Sequence, residues 1–254
     1  MKKYCLTSNA IAIGDGRIIH QIKALVDIPE AGVKAEDLGG WIEKEANLSH
    51  RGECWVYGNA KVYDDAEVSD SAKIFDNAEV YGDAMVYDEA KVSGNAKVYD
   101  NAEVHDMVRI YGNAKVYDNA KVNCEARVYG NAEVSDFARV RDNAKIYGNA
   151  EIHDYAEVWN NAKVYGDAEV SDSAKIFDNA EVYGGAMVYG KARVFGNAAV
   201  FDNAMVFDNA MVYGKARVFG NAAVFDNAMV FGNAIISGNA KVYGDAEISD
   251  SIDG

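Results

Sequence analysis

The chain has 254 residues, half of them hydrophobic, with one proline and a formal charge of −15 from 25 basic and 40 acidic residues. That length allows one domain or two small ones, and the charge argues against non-specific binding to nucleic acid or anionic membranes. No stretch approaches the roughly 18 apolar residues of a membrane span, and three widely separated cysteines suit a reducing cytoplasm better than a disulfide framework.

The first residues, Met1 to Ser8, lack the apolar run of a signal peptide. Tyr4–Ser8 and Ile11–Ile13 are short apolar pieces, Gly14-Asp15-Gly16 is a turn signal, and Arg17–Leu25 is rich in Ile. Residues 1–39 are therefore expected to form a β-hairpin or small sheet that caps the first coil, since a solenoid end is an open sheet edge that must be covered. From residue 40 the pattern changes. Gly40-x-Ile42 and Ala46-x-Leu48 introduce a small-x-aliphatic rule, and its register slips by two residues around His50-Arg51.

From Val56 to Ile248 every sixth residue is Val or Ile, thirty-three times without interruption. Two residues before each stands Ala, except at Cys54 and Val108. Self-similarity at a fixed period identifies a repeat architecture. A helix would need a period of 3.6, whereas here Ala points in, one residue points out, Val points in, one points out, and two turn residues come next. The turn pair is mostly Gly or Asp followed by Asn or Asp, residues that tolerate left-handed backbone angles. Each hexapeptide thus reads as a short strand and a corner. Three make a triangular coil of 18 residues, so the thirty-three give eleven coils; a two-sided, twelve-residue coil is the competing arrangement. Asp250–Gly254 carries no helix or long loop, and how that sheet edge is covered stays open.

The unit A-x-V-x-x-x, as in Ala60-Lys61-Val62-Tyr63-Asp64-Asp65, resembles the hexapeptide-repeat superfamily over about residues 40–252. The lead-in is similar to that of prophage-type and bacterial hexapeptide-repeat proteins, a group of largely unassigned function. The resemblance implies an all-β fold, a left-handed parallel β-helix with a small N-terminal β cap, spanning residues 40–254. The general rule for crossovers would favour the right hand, so the left hand rests on the resemblance alone.

If residues 18 apart stack, the outward positions form ladders. One face carries a basic run, Lys73, Lys91, Arg109, Arg127, Lys145 and Lys163, beside an aromatic run that includes Tyr147 and Tyr165. Such a pair of ladders could hold a polyanion or a glycan, or simply stabilise neighbouring strands through ring stacking. A second face carries Ser135, His153 and Ser171 beside Glu133, Glu151 and Glu169. A Glu–His–Ser group can serve acid–base chemistry, but no loop builds a pocket around it. The third face holds His105, Asn123, Arg141 and Trp159, next to the Val108 irregularity and a corner Cys124 expected to be exposed. Corner acids such as Asp64, Asp76, Asp100, Asp118 and Asp178 could meet calcium, yet turn chemistry alone accounts for them, and no dedicated metal site is expected.

Residues 186–236 stand apart. Met205, Phe207, Met211, Tyr213, Met229 and Phe231 occupy outward positions there, pointing to an apolar interface for a second copy or a protein partner. Ala186–Phe207 recurs unchanged as Ala210–Phe231, displaced by 24 residues, and Asp65–Tyr87 recurs with one change as Asp167–Tyr189, displaced by 102. Both displacements are multiples of six and neither of eighteen, so each copy lands on a different face from its parent.

The functional expectation is a non-catalytic solenoid acting as a structural or binding module, with no cofactor. The alternative implied by the resemblance is an acyltransferase using coenzyme A and a histidine, for which His153 and His105 are the candidates; no insertion breaks the repeat to build its cleft. A third reading, an acidic rod that imitates DNA, fits the charge but not the basic ladder. Nucleic acid and membrane are not expected partners.

Overall fold

A computed structural model describes residues 2–14 and 16–254; Asp15 of the expected Gly14-Asp15-Gly16 turn lies outside the described residues. Contacts divide the chain into two compact units, residues 1–124 and 125–254. The architecture is a parallel β-solenoid of about 12 coils with almost no helix.

In the first unit, β1 (Tyr4–Ala12) and β2 (Ile18–Ala24) form an antiparallel hairpin, so the two short apolar pieces expected before the turn lie in one strand with an irregularity between Leu6 and Ala10. β2 pairs antiparallel with β3 (Leu38–Ile42), and β3 pairs in parallel with Lys61–Val62. Tyr4, Ile19, Ile22 and Ala24 are buried beneath this cap. The single Tyr4 O–H is shared between the carbonyls of Glu45 (2.9 Å) and Leu48 (2.8 Å), and burial pushes its pKa upward. A Cβ at Gly40 would lie 2.6 Å from both the Ala60 carbonyl oxygen and Val56 Cγ1, so this approach of β3 requires glycine.

The expected register slip is present. Trp41 faces Lys61 and Leu48 bridges to Val68, offsets of twenty, whereas Trp55 already faces Lys73 at the regular eighteen. β3, Leu48 and Trp55–Val56 thereby form the first coil, and the thirty-two later hexapeptides with the irregular Ile252–Asp253 strand make up eleven more, which is why the count is about twelve.

Beyond the lead-in, both units obey one rule. Lys91 faces Lys73 and Arg109 in the first unit; Lys145 faces Arg127 and Lys163 in the second. The offset of eighteen decides for the three-sided coil. Ala and Val or Ile of nearly every hexapeptide have no solvent exposure, and Val108 is buried in place of Ala. The interior is a column of small and branched side chains, stabilised by burial at about 25 cal/mol per Å² of apolar surface. Around it, the N–H of each outward strand residue donates to a carbonyl one coil further on, as Tyr81 N does to Val98 O (3.0 Å) and Tyr213 N to Val230 O (2.9 Å).

The corners explain the Asp and Gly content. The residue two after each Val adopts a left-handed conformation, with φ of +55° to +62° at the aspartates of the repeat. Asp tolerates this region better than most residues, and here its carboxylate has a second task. Asp76 Oδ2 accepts the N–H of Gly94, and Asp172 Oδ2 that of Gly190, each at 3.0 Å and one coil on. The neighbouring corner position carries amide ladders such as Asn59–Asn77–Asn95 and Asn203–Asn221–Asn239. Where glycines stack, as at Gly148 and Gly166, a Cβ on Gly148 would fall 2.8 Å from Gly166 N; there the strands lengthen to four residues, Lys145–Gly148 and Lys163–Gly166. In the second unit Ile252 faces Ile236 at an offset of sixteen, two residues short of the regular coil.

Candidate functional site

The three faces present different chemistry. On the first, the basic ladder is real within each unit, and stacked rings run beside it. In residues 125–254 the rings of Tyr129, Tyr147, Tyr165, Tyr183, Phe201 and Phe219 stack nearly parallel, with successive centroids 4.7–4.9 Å apart. This spacing is set by the strand separation, so each ring covers its neighbours' faces and leaves its edge to solvent. Lys163 Nζ donates to Glu181 Oε1 at 2.8 Å, and the Tyr165 hydroxyl to Glu181 Oε2 at 3.2 Å. Burial, then the Glu181 charge, pushes the Tyr165 pKa up; the hydrogen bond to Glu181 raises that of Lys163. Glu181 thus closes the basic run.

On the second face, Glu133, Glu151 and Glu169 pair in register, and Ser135 and Ser171 are buried. His153 sits between them with both ring nitrogens directed at carboxylates: Nδ1 lies 2.9 Å from Asp154 Oδ2, and Nε2 lies 3.2 Å from Glu169 Oε1. Neither nitrogen is directed at a serine hydroxyl, and Ser135 Oγ instead donates to Asp136 Oδ2 (3.4 Å). The imidazole is thus held by the Asp154 and Glu169 carboxylates rather than by a serine.

On the third face, the His105 ring stacks on Tyr87 at 4.8 Å, with Nδ1 3.1 Å from Asp106 Oδ2 and 3.9 Å from Asp88 Oδ2. Cys124 is half-buried rather than exposed, because it fills the left-handed corner (φ +60°) and its N–H donates to Asp106 Oδ2 at 2.9 Å. In the second unit Arg141 lies over the Trp159 ring at 4.9 Å and approaches Glu157 at 3.5 Å.

Within residues 186–236, Met187 faces Met205, and Met211 faces Met229. Phe207 stacks between Tyr189 and Phe225 at 4.9 Å, and Tyr213 between Phe195 (4.9 Å) and Phe231 (5.4 Å). Met205, Phe207, Met211, Tyr213, Met229 and Phe231 are all half-buried, and Phe201 and Ala223 are buried outright. What faces solvent is thus a set of ring edges and thioethers rather than whole side chains.

Sequence reasoning missed the surroundings of the cap. A groove of about 570 Å³ lies between the hairpin tip, Ile11 to Gly14, and the face carrying Lys61, Tyr63, Glu79 and Tyr81. Glu79 bridges Lys61 (2.8 Å) and Lys97 (3.2 Å); burial pushes its carboxyl up, but the two ammonium groups outweigh this and hold it below its ordinary value. The hairpin was legible from its turn and Ile content, but nothing in its residues says which face its tip approaches.

No protein-family model matches the chain, and no curated protein matches it. Among the described residues, no helix is long and apolar enough to cross a membrane.

Proposed function

We propose that this chain is a non-catalytic β-solenoid of the hexapeptide-repeat type, a structural or binding module that self-associates through residues 186–236. The observation that carries this reading is the duplicated block. Ala186–Phe207 and Ala210–Phe231 are identical, yet Met187 and Tyr189 belong to the second face while Met211 and Tyr213 belong to the third. A function built on one fixed constellation would be lost by such a shift. A function built on a repeated surface, Met beside a stacked ring, is multiplied by it. The charge pattern agrees: residues 186–236 hold four basic residues (Lys191, Arg193, Lys215, Arg217) and three acidic ones (Asp202, Asp208, Asp226) in a chain of net −15. Copies that repel elsewhere can approach at this near-neutral band. Free Cys5, Cys54 and Cys124 fit a reducing compartment, and we place the protein in the cytoplasm, of a bacterium or phage-infected cell.

The competing acyltransferase reading makes a direct demand. Titration calorimetry of acetyl-CoA into the full chain is expected to give no saturable heat. Saturable binding that disappears in His153→Ala or His105→Ala would overturn the non-catalytic reading.

A further inference from the structure

We propose that two corners of the repeat, Asp88–His105–Asp106 and Asp136–His153–Asp154, each bind a divalent transition-metal ion of the zinc or cobalt type. In each cluster one imidazole nitrogen and two carboxylate oxygens lie within 4.8 Å of one another. Ligands about 2.1 Å from a common metal stand roughly 2.9–3.4 Å apart, depending on octahedral or tetrahedral geometry. The His153 Nδ1–Asp154 and His105 Nδ1–Asp106 separations, 2.9 and 3.1 Å, already lie in that range. The third ligand needs only a small side-chain adjustment: Asp88 Oδ2 is 3.9 Å from His105 Nδ1.

Both clusters arise from one local rule. A histidine directly precedes a corner aspartate, and the corner residue eighteen positions earlier is also aspartate. The left-handed corners hold the two carboxylates in register, and the strand directs the ring toward them. The carboxylate oxygen that faces the ring, Oδ2, also accepts a backbone N–H of the next coil, as Asp106 Oδ2 does from Cys124 and Asp154 Oδ2 from Asp172. A carboxylate has about four lone-pair sites, so coordination remains open to it. Every side chain of the two clusters is half-buried or exposed, which gives an ion access.

A second observation points to a cation at His153. Asp136, Asp154 and Glu169 around its ring are acceptors only when ionised, and a neutral imidazole has one N–H. With Nε2–H donating to Glu169, Nδ1 meets Asp154 lone pair to lone pair. A bound metal on Nδ1 removes the conflict, and Glu169 then takes the place of the outer carboxylate that orients metal-binding histidines. A second proton would also remove it, and the experiment separates the two. The nitrogen ligand distinguishes these corners from the plain aspartate corners, which offer oxygen alone and suit calcium rather than zinc.

The test is titration of Co²⁺ into the full chain, followed by its visible absorption, with Zn²⁺ calorimetry in parallel. The expected stoichiometry is about two ions per chain, one for each histidine site. It falls to one in His105→Gln or in His153→Gln and to none in the double variant, with circular dichroism reporting an unchanged fold. Glu169→Gln is expected to weaken only the His153 site, by about tenfold or more. No uptake by the unaltered chain, as for a merely protonated histidine, would overturn the proposal. Uptake unchanged in the double variant, as for oxygen-only corners, would do the same.

Discussion

Deleting one residue, Asn149, is expected to destabilise the coil that contains it, whereas deleting the six residues 149–154 leaves every coil complete. The inward positions alternate with outward ones along each strand, so the lost residue either compresses the corner before Ala150 or turns Ala150 and Ile152 outward. The misfit falls on the one coil left with seventeen residues, because every later hexapeptide keeps its own inward Ala and Val and stacks again at eighteen, as it does after the slip before Trp55. Loss of six residues leaves every Ala and Val inward and no coil short of a corner residue. It moves the outward ladders on by one face, which interrupts some ring stacks worth about 0.5–1.5 kcal/mol each. The chain already contains displacements of this kind, at 24 and 102 residues. Far-UV circular dichroism and urea unfolding distinguish the outcomes: a urea midpoint close to that of the unaltered chain for the six-residue deletion and a clearly lower one for the single one. Equal damage from both would show that the outward ladders, not the inward code, hold the coil.

The second large effect is Val164→Asp. Val164 has no solvent exposure and stands in register between Ile146 and Val182. A carboxylate there would meet only aliphatic neighbours, and burying it unpaired is expected to cost about 4 kcal/mol or more. Val164→Ile is expected to change stability by only about 1 kcal/mol, because Ile146 already fills the adjoining coil's equivalent position. Urea midpoints for the two variants check this, and an Asp variant as stable as the Ile variant would mean that the interior admits water.

The inward half of the repeat was legible because Ala and Val have one role each. Eighteen-residue pairing, the two-residue slip before Trp55 and the hairpin all follow from spacing and turn residues. The outward half was legible as ladders but not as contacts. Phe207 and Tyr213 read as exposed rings, yet stacking at the strand spacing half-buries them. Asp76 read as turn chemistry, and its bond to the Gly94 N–H requires knowing that the corners stack. His153 read as a partner for Ser135 and Ser171 because they share a face, but its nitrogens lie in line with the corner and strand carboxylates instead. The sixteen-residue offset at Ile252 had a signal, an aliphatic residue two positions ahead of the expected hexad site.

Self-association through residues 186–236 is tested most directly by the solution mass of the full chain. Light scattering over a concentration series is expected to give a multiple of the 27.6 kDa chain mass. The combined replacement Met205→Ser, Phe207→Ser, Met229→Ser and Phe231→Ser is expected to return the mass to one chain while circular dichroism keeps the β signal. A single-chain mass for the unaltered protein, or an assembly that the four replacements leave unchanged, would contradict the account.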